Sequence, residues 1–182
     1  SGRLKTGTPP RVSKQSINLS SCVVAPGDSL SSSFSLFGKK NKNKNEPCFL
    51  VKTNLKTQEI IFNNLKKSAL FSGKISGIGP RYCPSIEDKI FRFKERSSHH
   101  LFLEPEWSGS NQIYVSGFST SLPEKVQLEA LKSIGPLKDV VLVRPGYAIE
   151  YDYLPPRQLK ASLETKEVAG LFLAGQLNGT SG

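Results

Sequence analysis

Alternation of apolar and polar positions is the strongest pattern along this chain. "HLFLEP" (100–105) and "NQIYVSG" (111–117) read as two strands, and "CFLVKT" (48–53) is a strand by composition. "YAIEYDYL" (147–154) alternates, placing Tyr147, Ile149, Tyr151 and Tyr153 on one face. "DVVLVRP" (139–145) is a continuous β-branched run that predicts a buried strand, and "GLFLAG" (170–175) predicts a final one. Helical spacing is rarer. Thr57 reads as the N-cap of a helix from Gln58 to about Lys67, with Glu59 in its first turn and Ile61 and Leu65 on one face. "STSLPEKVQLEALKSIGP" (119–136) carries the fullest helix signal. Ser121 and Glu124 have capping-box spacing, Pro123 falls in the first turn, and Gly135-Pro136 stops it. A short third helix is expected after Pro84-Ser85, where Glu87 and Asp88 complement the positive end of the dipole.

Between these elements the chain is turn-like. "SGRLKTGTPPRV" (1–12) is basic, with Gly and Pro where a chain changes direction or passes close to a ligand. Residues 16–47 are rich in Ser, Lys and Asn and read as loop with at most short strands. No internal repeat is visible. The sum predicts an α+β fold: a mixed or largely antiparallel sheet with a few helices, in one compact module with ragged ends.

Composition narrows the class. Of 182 residues, 37% are hydrophobic and 9% aromatic, which fits a soluble globular protein. No apolar run approaches the roughly 18–20 residues of a membrane span, and the polar first twenty residues do not form a signal peptide. Cys22, Cys48 and Cys83 are odd in number, with no CxxC pair, so free thiols in a reducing compartment fit better than a disulfide framework or a zinc site. The missing methionine and the final glycine-rich "GLFLAGQLNGTSG" read as those of a piece of a longer protein. The formal charge of +10 is uneven: residues 1–70 hold 12 Lys+Arg against 3 Asp+Glu, and residues 71–182 hold 13 against 12. Such asymmetry suits a polyanion such as nucleic acid. The run Lys39, Lys40, Lys42 and Lys44 is equally a solvated loop.

Two stretches concentrate chemistry. In "GIGPRYCPSIEDKIFRF" (77–93), Cys83 precedes a helix start and sits between Arg81 and Lys89. Positive potential and unpaired helix N–H groups would raise the thiolate fraction; a small buried cysteine with solvated charged neighbours is the alternative. Gly77, Gly79 and Pro80 would allow close backbone approach to a phosphate or carboxylate, though the spacing matches neither a P-loop nor a dinucleotide fingerprint. In "GLFLAGQLNGTSG", Gln176, Asn178 and Thr180 place polar groups at a strand's carboxyl end, where α/β sheets bind cofactors; an ordinary turn is the alternative. His99 and His100 would point to opposite faces of a strand, which excludes one shared metal and suits surface or pocket-lining roles; no metal site is expected. Glu104 and Glu106 could share a face, but Pro105 argues for a strand end.

"GRLKTGTPPR", "GPRYCPSIEDKI", "FLEPE", "STSLP", "RPGYAIEYDY" and "GLFLAGQLNGTSG" occur in this order, and with them the chain resembles the MnmG (GidA) family of tRNA uridine 5-carboxymethylaminomethyl modification enzymes from Gly2 to Gly182. Asn18–Pro47 carries no family pattern. The resemblance implies a cytoplasmic flavoprotein, active as a homodimer with FAD and NADH. It would work with the GTPase MnmE to modify C5 of the wobble uridine of tRNA, with no membrane association. It further implies that residues 18–165 are an NAD-binding, substrate-facing module inserted in an FAD domain, with edge segments of that domain at 1–17 and 166–182 and a Lys/Asn-rich loop at 37–47. The family's NAD stretch falls on Gly79, Pro80, Arg81, Tyr82, Cys83, Pro84, Ser85, Ile86, Glu87, Asp88, Lys89, Ile90, Phe91, Arg92 and Phe93. Cys83 matches its reactive cysteine and Gln176 an FAD contact. A thiolate added at uracil C6 would push electron density onto C5, so Cys83 is expected to serve as nucleophile or as proton-transfer group. Because the family's dinucleotide fingerprint and second reactive cysteine are missing, this piece alone is expected to be inactive. Two other readings are an RNA-docking module without catalysis and a module of the related folate-dependent tRNA methyltransferase TrmFO.

Overall fold

The structure is a computed structural model that describes residues 1–27, 37, 46–73, 75–80 and 82–180. Lys39, Lys40, Lys42, Lys44 and Arg81 lie outside the described residues. An antiparallel six-stranded sheet forms the centre: β3 (Val23–Ala25), β4 (Cys48–Lys52), β5 (His100–Pro105), β6 (Gln112–Ser116), β2 (Arg11–Ser13) and β7 (Leu142–Arg144), in that spatial order. A separate antiparallel pair joins β1 (Gly2–Gly7) to β8 (Ala148–Tyr153). Helices α1 (Leu55–Asn63), α2 (Ile86–Arg92) and α3 (Glu124–Lys132) complete an α+β fold.

One face of the large sheet makes the core. Val12, Leu101, Leu103, Ile113 and Val115 alternate inward from β2, β5 and β6. They join Ile60 and Ile61 of α1, Ile86 and Ile90 of α2, and Val126, Ala130 and Leu131 of α3 in one buried cluster. Burial of this alternating set fixes the strand register, since a one-residue slip would turn it to solvent. Between β1 and β2 the chain passes from one sheet to the other.

Several elements differ from the sequence expectation. The turn-rich opening is two strands, β1 and β2, because β8 and β6 lie alongside to pair with them. Asn54, not Thr57, caps α1: its Oδ1 accepts from Thr57 N at 2.9 Å, while Thr57 Oγ1 accepts from Asn54 N at 3.3 Å. Thr57 is thus the third helical residue of a reciprocal box. The box expected at Ser121 and Glu124 does not form. Pro123 occupies the N-cap of α3, and Ser121 Oγ instead accepts from Leu70 N at 3.1 Å and bonds Ser68 Oγ at 2.7 Å. The run at 139–145 yields only the short edge strand β7, with Val141 and Val143 half exposed. "GLFLAG" is not a strand among the described residues: Phe172 makes one bridge to Glu164, and a 3-10 turn follows at Gly175–Asn178. Thr165 N and Leu173 N donate to Leu171 O and Leu163 O, so local turns take up its backbone groups.

Helix α2 is fastened by a buried carboxyl. Glu87 is fully buried, and its Oε1 accepts from Ser68 Oγ and from Ser121 N, each at 3.0 Å. Burial pushes this carboxyl above the usual glutamate range, against the opposing pull of its hydrogen bonds. The folded chain therefore holds the proton more tightly than the unfolded chain, and this contribution to stability is lost as pH rises from the ordinary glutamate range through the raised value. Denaturant unfolding between pH 4 and 8 should show that decline, and Glu87→Gln should remove it; an unchanged pH slope would contradict the assignment. Glu87→Ala leaves Ser121 N–H unmatched and should cost about 1–3 kcal/mol.

Candidate functional site

The site is built on the segment that leads into α2. Ile78 docks beside β1, with Ile78 N donating to Arg3 O and Lys5 N to Ile78 O, each at 3.0 Å. Lys5 Nζ reaches across to Leu70 O at 2.9 Å and Ile75 O at 3.3 Å. Residues 75–80 are thereby held against the first strand before the chain turns into the helix. Ser85 caps α2, its Oγ accepting from Asp88 N at 3.1 Å.

This start of α2 corrects one expectation. N–H groups thought to face Cys83 are already bonded: Ile86 N donates to Ser119 O at 2.7 Å and Asp88 N to Ser85 Oγ at 3.1 Å. Burial holds the Lys89 ammonium below the usual lysine range, with Cys83 opposing. Burial pushes the Tyr114 phenol up, while Arg11, 4.8 Å from the ring centroid, pulls it down.

Cys83 is exposed and opens on a cavity of about 230 Å³. The wall is completed by Thr6 and Gly7 at the end of β1 and Thr8 and Pro9 just after it, with Pro80, Tyr114, Ser119, Tyr151 and Gln176. Cys83 and Gln176, far apart in sequence, are brought to one cleft. The approach of the two walls depends on Gly7, where a Cβ would meet the Thr120 backbone nitrogen at 2.6 Å. The volume lies below the roughly 300–1,000 Å³ of whole-ligand pockets, so it suits one ring of a larger ligand.

Other residues expected at the site separate by face. Ser85, Ile86, Glu87 and Ile90 are buried toward the core, where their side chains hold the helix rather than meet a ligand. Asp88 pairs with Arg92 at 3.7 Å, and Phe91 stacks edge-on against Phe71 at 5.8 Å. Tyr82 is exposed; Gly79 is half buried. Pro84, Lys89 and Phe93 belong to a second cavity, with Arg96, Ser98, His99 and His100. His99 is buried and His100 exposed, so both act as pocket-lining residues while facing apart. Glu106 is engaged by Arg11 Nε at 2.7 Å and does not act with Glu104 as a free carboxylate pair. Thr6, Thr8, Tyr114, Ser119 and Tyr151 were not singled out as site residues from sequence. Their one signal was the run of Gly and Pro at 7–10, which marks close backbone approach. Among the described residues no three His, Cys, Asp or Glu groups could hold a metal, and no helix is long and apolar enough to cross a membrane.

Comparison with known proteins places these residues in context. The family described as "Glucose inhibited division protein A" matches residues 1–182. The tRNA uridine 5-carboxymethylaminomethyl modification enzyme MnmG of Chlorobium phaeovibrioides is 56% identical over 181 residues, which is 99% of this chain and 29% of that protein. The MnmG of Heliobacterium modesticaldum is 52% identical over 181 residues, 100% of this chain and 28% of that protein. The crystal structure of Aquifex aeolicus GidA in form I superposes with a TM-score of 0.87 at 50% identity, over 99% of this chain and 31% of that one. This chain thus spans under a third of the length of the relatives it matches.

The thiols give a direct test of the geometry. Burial pushes Cys22 and Cys48 above the usual thiol range, and only Cys83 is exposed. Alkylation followed by peptide mass spectrometry should modify Cys83 first, on the order of 10-fold faster than the other two. Cys83→Ser should abolish the fast phase; a fast phase surviving in that variant would refute the placement.

Proposed function

The chain belongs to the glucose inhibited division protein A (GidA) family, and from that membership we propose that it is the thiol-bearing, cofactor-facing part of an enzyme modifying C5 of the tRNA wobble uridine. The observation that carries the reading is the single cleft shared by Cys83 and Gln176. A pyrimidine ring fits a cavity of about 230 Å³, and Cys83 stands exposed at its edge. In this reading the Cys83 sulfur adds at uracil C6, which turns C5 into a carbon nucleophile; once C5 has bonded an activated one-carbon electrophile, loss of the C5 proton expels the sulfur. Tyr114, its phenol pushed up by burial and so held in the protonated form, is a hydrogen-bond donor at the wall of this cleft.

Two cofactors enter the proposal, FAD and NADH, which together would supply the hydride for reduction. Gln176 is exposed on its turn at the cleft mouth, so its amide is available to a flavin edge; the buried Asn178 holds that turn through a bond from Nδ2 to Leu173 O at 3.2 Å. Residues around Lys89 would face the nicotinamide dinucleotide. Action in the cytoplasm as a homodimer, with MnmE and tRNA as partners, follows the resemblance of the motifs and belongs to the same proposal. The six matching motifs favour this over an RNA-docking module alone or a TrmFO-like methyltransferase.

In the intact enzyme, Cys83→Ser should lower modified wobble uridine, measured by nucleoside mass spectrometry of tRNA, on the order of 100-fold or more. Bound flavin, read from its absorbance, should stay at the wild-type level. Wild-type modification in the variant would reject the role of the thiol.

A further inference from the structure

The hydroxyl groups around the thiol cleft are not equivalent. Thr6 Oγ1 donates to Gly7 O at 3.2 Å and Thr8 Oγ1 to Tyr147 O at 3.1 Å, so each has committed its single proton to the backbone. Tyr114 lines the same cleft as Cys83 and carries a phenol, a stronger acid than an aliphatic hydroxyl. We propose that Tyr114 is a catalytic residue, its hydroxyl donating to O4 of the uracil ring while the Cys83 sulfur is bonded at C6. The proposal rests on the thiol reading given above and adds the group that stabilises the charge created by that addition.

The charge follows from electron balance. As the thiolate pair forms the S–C6 bond, the C5–C6 π pair moves to C4–C5 and the C4–O4 π pair moves onto O4, giving an enolate. When C5 bonds the activated one-carbon electrophile, the pair returns from O4. Loss of the C5 proton to water rebuilds the enolate, and its collapse restores the C5–C6 double bond and expels the sulfur. The same oxygen is anionic in both steps, so one fixed donor lowers both barriers. The hydrogen bond needs no full proton transfer, and Tyr114 starts and ends each turnover protonated. C4 and C6 both flank C5, so a donor to O4 has to stand within one ring's width of the sulfur. Tyr114 and Cys83 share a cavity of about 230 Å³, which meets that requirement.

The fold holds this ring with a cation. Tyr114 on β6 is the register partner of Arg11 on β2 and of Glu104 on β5. The Arg11 guanidinium lies 4.8 Å from the ring centroid, its Nε 2.7 Å from Glu106 Oε1, and its Nη1 donates to Pro9 O at 2.9 Å. The side chains of Arg11 and Glu106 are 19% and 22% exposed, so the pair is sheltered from screening. Because Pro9 also lines the cleft, one guanidinium joins the Tyr114 wall to the wall that follows β1. Burial pushes the phenol above the usual tyrosine range and Arg11 pulls it down, with Cys83, Glu104 and Glu106 acting on the side of burial. The phenol therefore stays protonated at neutral pH, and the cation against its ring strengthens it as a donor.

The test is single-turnover formation of the covalent adduct between the intact enzyme, supplied with its co-substrates, and tRNA carrying 5-fluorouridine at the target position. Tyr114→Phe keeps the ring and its contact with Arg11 but removes the donor. It should slow the adduct on the order of 100-fold, the effect of losing one donor to a developing oxyanion. Bound flavin, tRNA affinity by filter binding and the alkylation rate of Cys83 should stay at wild-type levels. Replacing Tyr114 with 3-fluorotyrosine keeps the donor and makes it more acidic. The adduct rate should then match wild type at neutral pH and fall at a lower alkaline pH; an unshifted alkaline limb would overturn the proposal. A wild-type rate in Tyr114→Phe, with no adduct in Cys83→Ser, would overturn the role of Tyr114 and leave that of the thiol. No adduct on Cys83 in wild-type enzyme that modifies normal tRNA would remove both. A 100-fold loss in Ser119→Ala or Tyr151→Phe but not in Tyr114→Phe would place the donor elsewhere and reject this assignment.

Discussion

The carboxyl of Glu87, sealed beneath α2 and bonded to Ser68 Oγ and Ser121 N, ties three segments that are distant in the chain. An acid in that position is costly to bury, and it persists because its hydrogen bonds are made only when all three segments are in place. It orients α2 so that Ile86 and Ile90 enter the core. Cys83, in the peptide before the helix, lines one cavity, and Lys89 and Phe93 line the other. Glu87, the fully buried acid among the described residues, thus anchors the helix that follows Cys83 and carries Lys89.

The central strands were legible because alternation and burial agree there. Leu101, Leu103, Ile113 and Val115 lie inward as their spacing required, and β8 forms where a strand was expected, though its residues are half buried almost throughout. Local rules failed where tertiary partners competed. Ser121 has capping spacing to Glu124, but Leu70 N and Ser68 Oγ claim its hydroxyl. At α1, Asn54 and Thr57 could both cap, and only the reciprocal bond between them decides. The β-branched run at 139–145 has the composition of a buried strand, yet it lies at the sheet edge beside β2 alone. Composition reports what a residue tolerates, whereas strand order decides what it meets.

The two cavities differ in the same way. The residues of the thiol cleft carry long, specific motifs, so Cys83 and Gln176 stood out before the fold was known. Their meeting did not, because it needs β1 to pair with β8 and the turn at Gly175–Asn178 to fold back onto β8. Of the second cavity, Pro84, Lys89 and Phe93 lay in the stretch named from sequence and His99-His100 were read as pocket-lining, whereas Arg96 and Ser98 carried no sign. Its cations come from α2 and from the segment before β5, and the unpartnered Nε2 of His99 is visible only in three dimensions.

The central claim is that the Cys83 sulfur meets the base. Intact enzyme incubated with tRNA carrying 5-fluorouridine at the target position tests it most directly, because fluorine at C5 blocks the elimination that would release the thiol. Mass spectrometry should find the RNA covalently attached to the peptide containing Cys83. An adduct confined to another residue, or no adduct while normal tRNA is modified, would contradict the account.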